Sequence, residues 1–357
     1  MSSPQGDGTR SAPAGPRRLR LVESVVTVPS ADGLRFVQGT RALHVKGPAA
    51  VLRSLAERLG EGLDAHDLDG ASRSARLARE LESLGWLTDR PPRVAEEPCA
   101  TERQWGYLTA FGPDAPLMQS RIEAARVAVL GVGGVGTVVA QHLVGAGARR
   151  LWLVDFDTVA LHNLNRQFLF GRQDVGVPKV EAAASALRRL APQTDVRGIQ
   201  RRIGDVTDLA VLPTDLDLLV IAADTPRTIV DIAWLWAAEY GVPVHMAAVG
   251  LETGYWGPLL IPDRGHCWPC FERGRRALLP TGHAALEDAE LEPMPYSFGP
   301  SNTVISALLA HDVLEYLARG HCPSENRRGR LALDGTPMGF LEGRPCACAD
   351  GPVGSRT

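Results

Sequence analysis

Four glycines stand in the run RVAVLGVGGVG, at Gly131, Gly133, Gly134 and Gly136. A backbone without side chains there can bring its N–H groups against phosphate oxygens at the start of a helix. Asp155 follows twenty-four residues after the first glycine, in LVDFD, and can accept hydrogen bonds from ribose hydroxyls. Glycines and one carboxylate suit NAD as well as ATP. The next residues separate the two. HNLNRQ supplies Arg166 with the amides Asn163 and Asn165, and VGVPK supplies Lys179. A dinucleotide oxidoreductase has no need of a cation eleven residues beyond its ribose carboxylate, whereas two cations at one nucleotide indicate a triphosphate. DLDLLVIAAD then ends in Asp224, a carboxylate able to hold Mg²⁺ against those phosphates. Taken singly, Arg166 and Lys179 read as surface ion pairs; their joint spacing favours the nucleotide. Asp157 reads equally as a nucleotide contact or a capping carboxylate.

Six cysteines in 357 residues do not make a disulfide scaffold. Cys267 and Cys270 form C-x₂-C, and Cys346 and Cys348 form C-x-C. Two such pairs can share one tetrahedral Zn²⁺ and pin the C-terminal tail to the sheet. The tighter second pair leaves open whether Cys348, Cys322 or a histidine completes the set. Cys99 reads as a free thiol.

These side chains need elements to position them. Val127 to Leu130 reads as a buried strand, the residues through Gln141 and His142 as a helix, and a second strand closes on Asp155. The alternation continues with a helix in VEAAASALRRLAP and an arginine-rich strand in VRGIQRRI that suits a sheet edge. A buried strand from Leu216 to Ala223, a helix in TIVDIAWLWAAEYG and a strand in VPVHMAAVG follow. GLETGYWGPLLIPD is more antiparallel in character. The expected fold class is α/β, a Rossmann-like doubly wound mixed sheet. A last helix, NTVISALLAHDVLEYLARG, is expected to present Val304, Leu308, His311 or Asp312, and Leu314 as an apolar face for core and dimer contact.

Residues 1–18 have the composition of a disordered tail. Residues 19–90 hold short β-rich runs, with Gly39-Thr40 as a hairpin turn, and two amphipathic helices. One runs from Ala49 to Leu59 with Val51, Leu52, Leu55 and Leu59 on one face; the other runs from Ser74 to Leu84 with Leu77, Leu81 and Leu84. With a strand in GWLTDR, the pattern is a small winged helix-turn-helix behind a β-meander. Residues 91–118 are a proline- and charge-rich linker, and residues 119–350 the nucleotide domain. In the second helix Arg73, Arg76 and Arg79 face Glu80 and Glu82, a mixed surface that argues against nucleic acid, as does a net charge of −3. No apolar run reaches membrane-spanning length and the N-terminus lacks the apolar core of a signal peptide, so a cytoplasmic location is expected.

The ordered series GVGGVG, DFD, NLNRQ, GVPKVEA and AADTPR resembles the ThiF/MoeB-type adenylating enzymes, relatives of the ubiquitin-activating enzymes, from about Gln119 to Cys348. The resemblance implies that Asp155 binds the ribose of ATP and that Asn163, Arg166 and Lys179 bind the phosphates and stabilise charge during transfer. It further implies that Asp224 coordinates Mg²⁺ and that the two cysteine pairs hold zinc, although the family's usual second pair is C-x₂-C. A homodimer is implied, with Arg121 placed where related dimers supply an arginine to the neighbouring subunit's nucleotide. RRALLPTGHAALEDAELEPMPYSFGPS corresponds to the segment that shapes the acceptor's channel. It contains no cysteine, which disfavours a thioester step, with Cys322 the remaining candidate.

GLRFVQGTRALHVKGPAAVLRSLAERLGEG resembles the leader-peptide-binding domain of enzymes that modify ribosomally made peptides. That implies a precursor whose leader adds a strand to residues 19–88. The expected function is ATP-dependent adenylation of a ribosomal precursor peptide. The alternatives are a presenting partner for a YcaO-type cyclodehydratase with an idle nucleotide site, an activator of a ubiquitin-like sulfur-carrier protein, and an NAD-dependent dehydrogenase. The N-terminal domain can also serve packing or dimerisation alone.

Overall fold

The computed structural model describes residues 18–64, 66, 70–89, 99–279, 296–334, 336–343, 346 and 348. The expected tail through residue 17, residues 91–98 of the proline-rich linker and much of the expected acceptor-channel segment lie outside the described residues; the rest of the expected linker is largely helical, with helices over Glu102–Leu108 and from Ala115. The chain divides into two compact units, Met1–Pro116 and Leu117–Thr357.

The first unit contains β1 (Arg18–Leu21), β2 (Val26–Ser30), β3 (Gly33–Gln38), β4 (Arg41–Lys46), α1 (Ala49–Glu61), β5 (Leu63–Asp64), α2 (Arg73–Ser83), β6 (Leu87–Thr88) and α3 (Glu102–Leu108). Strands β2, β3 and β4 form an antiparallel meander. Gln38 pairs with Arg41, so Gly39-Thr40 is the hairpin turn, and Gly39 takes a φ of 58° that a side chain would resist. The expected wing strand is two residues long and pairs with Arg20 and Leu21 of β1. Ser72 caps α2, its Oγ accepting the Ala75 N–H at 3.1 Å. Leu34, Phe36, Leu52, Leu59, Leu77, Leu81 and Trp86 form the core of this unit. The inward face of α1 departs from expectation: Leu52, Ala56 and Leu59 are buried while Val51 is 64% exposed. Val51 lies one helical step, about 100°, off the buried stripe.

In the second unit, α4 (Ala115–Ala124), which begins just before it, leads into β7 (Arg126–Leu130), α5 (Gly134–Gly145), β8 (Arg150–Asp155), α6 (Lys179–Leu190), β9 (Asp195–Gln200), β10 (Leu218–Ile221), α7 (Ile229–Tyr240), β11 (Val244–Val249), β12 (Thr253–Trp256), α8 (Trp268–Arg276), α9 (Gly299–Arg319), β13 (Arg327–Ala332) and β14 (Pro337–Glu342). One eight-stranded sheet runs in the order β14-β13-β12-β11-β10-β7-β8-β9. From β9 to β11 the pairs are parallel, and β12, β13 and β14 add antiparallel partners. This is the expected mixed sheet, with arginine-bearing β9 at its edge. Central strands are covered on both faces, which is why Val127 to Leu130 and Leu218 to Ile221 are apolar at every position and buried.

Helix α9 carries a second correction. Its buried stripe is Ile305, Leu309, Val313 and Leu317, while Val304 is 40% exposed and His311 is exposed. Of the expected set, Asp312 is buried, Leu308 and Leu314 are only partly so. Several apolar residues surround this helix, and the sequence alone does not decide which i, i+4 row meets the sheet. Among the described residues no helix is long and apolar enough to cross a membrane.

Candidate nucleotide site and thiolate cluster

From β7 the chain passes to β8 on one side, and β10 returns on the other, so a crevice opens at the C-terminal ends of these strands. A cleft of about 480 Å³ lies there, lined by Gly131, Gly133, Gly134, Asp155, Asp157, Asn163, Arg166, Lys179 and Asp224 among others. Separate loops and helix starts thus bring nearly all the expected nucleotide residues to one cavity. Gly131 has a φ of 90°, and a Cβ there would stand 2.7 Å from the backbone of Ala222 and Ala223. Gly136 does not line the cleft; a side chain on it would strike the Gly131 carbonyl, so it closes the turn.

Asp155 is at the end of β8, and its carboxylate already accepts two backbone N–H groups. Oδ2 takes Val132 at 2.7 Å and Oδ1 takes Asp157 at 2.9 Å. It therefore fixes the glycine turn against the neighbouring strand end, with its remaining lone pairs free for a ligand. Lys179 opens α6 and is buried to 9% side-chain exposure. Its Nζ lies 2.8 Å from Asp157 Oδ2, and its N–H donates to the Asp157 carbonyl at 2.9 Å. Asp157 thus holds a buried cation at both ends of the residue.

Asn163 ends a 3-10 turn over Leu161–Asn163 and is buried, its Oδ1 accepting the Ala160 N–H at 2.9 Å. Arg166 Nη1 donates to the His162 carbonyl at 3.0 Å and to Asn165 Oδ1 at 2.9 Å, so the guanidinium is aimed by its own loop. Burial lowers its pKa from the ordinary arginine value. Asp224 is exposed, three residues past β10, and its Oδ1 accepts the Thr225 hydroxyl at 3.2 Å. Arg121 does not line this cleft; its Nη1 donates at 3.1 Å to the Ala318 carbonyl near the end of α9.

The cleft also takes in residues the sequence did not single out: His162, Gln167, Arg201, Tyr296, Ser297 and Asn302. Asn302 is buried in the first turns of α9 and donates from Nδ2 to Ser297 Oγ at 2.9 Å and to the Phe298 carbonyl at 2.8 Å. A buried amide in a helix start that is otherwise small or apolar is a readable signal. Its neighbour in the glycine turn, Gly134, lies 168 residues earlier in the chain and is not.

The four expected cysteines converge. The sulfur separations are 3.8 Å for Cys267–Cys348, 3.6 Å for Cys270–Cys346, 3.6 Å for Cys270–Cys348 and 3.5 Å for Cys346–Cys267. A tetrahedral zinc with Zn–S bonds of about 2.3 Å has S–S edges of about 3.8 Å. The donor set and its size fit such an ion. Cys348 is in the cluster and Cys322 is not. Trp268, between the first pair, donates from Nε1 to Asp231 Oδ1 of α7 at 2.9 Å.

Cys322 instead lies in a buried network with His245, Ser324 and Asp312. Its sulfur is 3.5 Å from Ser324 Oγ, which is 3.0 Å from His245 Nε2. Met246 N–H donates to His245 Nδ1 at 2.9 Å, so that nitrogen is unprotonated. Trp256 Nε1 donates to Asp312 Oδ2 at 3.1 Å. Burial pushes the His245 imidazole down to about 4.

Comparison with known proteins follows the same geometry. The crystal structure of Escherichia coli MccB with ATP superposes with a TM-score of 0.76 at 23% identity, covering 93% of this chain and 99% of that one. The structure titled for SeMet PaaA gives a TM-score of 0.68 at 19% identity, covering 90% and 98%. In sequence, the molybdopterin-synthase adenylyltransferase of Escherichia coli K12 is 35% identical over 163 residues, 45% of this chain and 64% of that protein. The sulfur carrier protein adenylyltransferase of Thermus thermophilus is 31% identical over 228 residues, 58% of this chain and 81% of that protein. The chain thus spans less than two thirds of the first of these relatives. The model of the ThiF family matches residues 101–346, more than half the chain, and the protein belongs to that family.

Proposed function

We propose that this protein adenylates a ribosomally made precursor peptide with ATP. The observation that carries the first half is the cleft in which Asp155, Arg166, Lys179 and Asp224 meet over a glycine turn. An oxygen of the peptide's carboxylate, or of an amide, attacks the α-phosphorus of ATP. The bond to the β-phosphate breaks, its electron pair leaves on pyrophosphate, and an acyl-adenylate or its amide counterpart remains. Arg166 and Lys179 stabilise the charge that grows on the transferring and leaving phosphates. Mg²⁺, when bound, neutralises phosphate charge further, and Asp224 is the residue to hold it. Asp155 orients the ribose. Among the described residues no cysteine lines the cleft, which supports release or direct trapping of the adenylate over transfer to an enzyme thiol.

The peptide half rests on the first unit. Among the described residues its three-stranded meander ends in unpaired edge strands, β2 and β4, that can accept an extended leader as a further strand. Docking would raise the effective concentration of the peptide to be modified. The MccB structures that match this fold include one with SeMet MccA and AMPCPP. In this reading the cysteine cluster holds a structural zinc, the chain acts as a homodimer to which Arg121 contributes across subunits, and the protein works in the cytoplasm.

A second reading is activation of a ubiquitin-like sulfur carrier, favoured by the names of the sequence relatives. ATP–pyrophosphate exchange separates the two. Exchange that depends on the precursor peptide, and is lost when residues 1–90 are deleted while ATP still binds, supports the peptide reading. Efficient exchange with a carrier protein ending in Gly-Gly, indifferent to the deletion, overturns it.

A further inference from the structure

We infer that His162 is a pyrophosphate-binding residue whose protonated imidazole holds the leaving group and makes that half of the reaction pH-dependent. The inference rests on the adenylation reading above and adds to it a residue and a regulation by pH. His162 is in the 3-10 turn over Leu161–Asn163 and lines the nucleotide cleft. Its own carbonyl accepts from Arg166 Nη1 at 3.0 Å, so imidazole and guanidinium are carried by one turn. Asp155, suited to the ribose, stands at the end of β8, on a different element. His162 lines the same cleft as Arg166 and Lys179. It is exposed, and among the described residues its ring nitrogens have no hydrogen-bond partner, so nothing in the fold consumes them.

The chemistry needs such a donor. When the α-phosphorus bond breaks, the departing pyrophosphate gains the electron pair of the bridging oxygen. Arg166 is tied to Asn165 and to the His162 carbonyl, and Lys179 is tied to Asp157, so both cations are partly neutralised or committed before ligand arrives. An imidazolium N–H gives a further charge-assisted bond, stronger than that of neutral imidazole. No proton is transferred; the ring stays protonated through the step. The charged groups that face the cleft from its other walls set the balance. They are Arg166, Lys179 and Arg201, and the carboxylates Asp155, Asp157 and Asp224.

The test is displacement of a fluorescent ATP analogue by pyrophosphate in the presence of Mg²⁺, from about pH 5.5 to about pH 8.5, bracketing the ordinary imidazole pKa of about 6.5. Wild type and His162→Asn are measured in the same buffers, because pyrophosphate also titrates in this range. In wild type, pyrophosphate should compete about tenfold or more better at the acid end than in the variant, with the two curves converging as pH rises. His162→Lys, which keeps a cation throughout, should hold tight pyrophosphate binding at high pH. Parallel curves for wild type and His162→Asn overturn the inference. Failure of wild type to bind the analogue overturns the nucleotide reading instead.

Discussion

Lys179 Nζ and Asp157 Oδ2 are 2.8 Å apart at the start of α6, the lysine buried and the aspartate half exposed. The pair holds the buried ammonium in place before any nucleotide arrives. Breaking it from either side has different consequences. Lys179→Met should lower the rate of ATP–pyrophosphate exchange by about 10²-fold or more, the range seen when a single preorganised charge donor is removed. Asp157→Asn leaves the cation but frees it, so a loss of about tenfold is expected, chiefly in turnover. Equal losses in both variants would make Asp157 a nucleotide contact in its own right.

Asp224 is exposed and bonded only to the Thr225 hydroxyl in the described contacts, so it can be replaced with little cost to the fold. Asp224→Asn should leave thermal stability within about 0.5 kcal/mol of wild type. It should raise the Mg²⁺ concentration needed for exchange by about tenfold or more. A magnesium titration of exchange in the two proteins measures this directly.

The cysteine cluster predicts one bound zinc per chain by elemental analysis. Cys346→Ser should lose it and destabilise the protein by about 2 kcal/mol or more, read as a drop in the melting temperature. Cys322→Ser, outside the cluster, should retain full zinc content.

His245 makes the fold sensitive to acid. Its folded pKa is about 4, below the value of 6.5 taken for an unperturbed histidine, because it is fully buried. The unfolded chain therefore binds a proton that the folded chain refuses. Stability is fully present above about pH 6.5 and is lost as pH falls toward 4, by on the order of 3 kcal/mol from this group. Denaturant melts of wild type and His245→Gln across that window should show a shallower slope in the variant.

Much of the nucleotide site was legible because its residues sit at the ends of elements that announce themselves. Asp155 closes a run of apolar residues, Lys179 follows a Gly-Val-Pro turn, and four glycines in six residues mark a tight turn between strand and helix. The cysteine pairs were legible because spacing alone brings the two sulfurs of each pair together. His162 and Gln167 were hidden beside a stronger neighbour, Arg166. Asn302 was hidden by distance, because only the packing of α9 returns it to the glycine turn, whereas Ser297 falls in the segment expected at the acceptor's channel. The inward faces of α1 and α9 were misplaced by a residue where apolar side chains occupy adjacent rows, so that periodicity offered two stripes and packing chose one.

The four sulfurs have a consequence for the chain as a polymer. Cys267 and Cys346 are 79 residues apart, and the segment between them contains α9, β13 and β14. A metal shared by them closes that stretch into a ring. By the chain-entropy relation for cross-links, a ring of this length removes about 4 to 5 kcal/mol of freedom from the unfolded ensemble. Strands β13 and β14, which lie inside that ring, would then owe their persistence to a reversible cross-link as well as to their own packing.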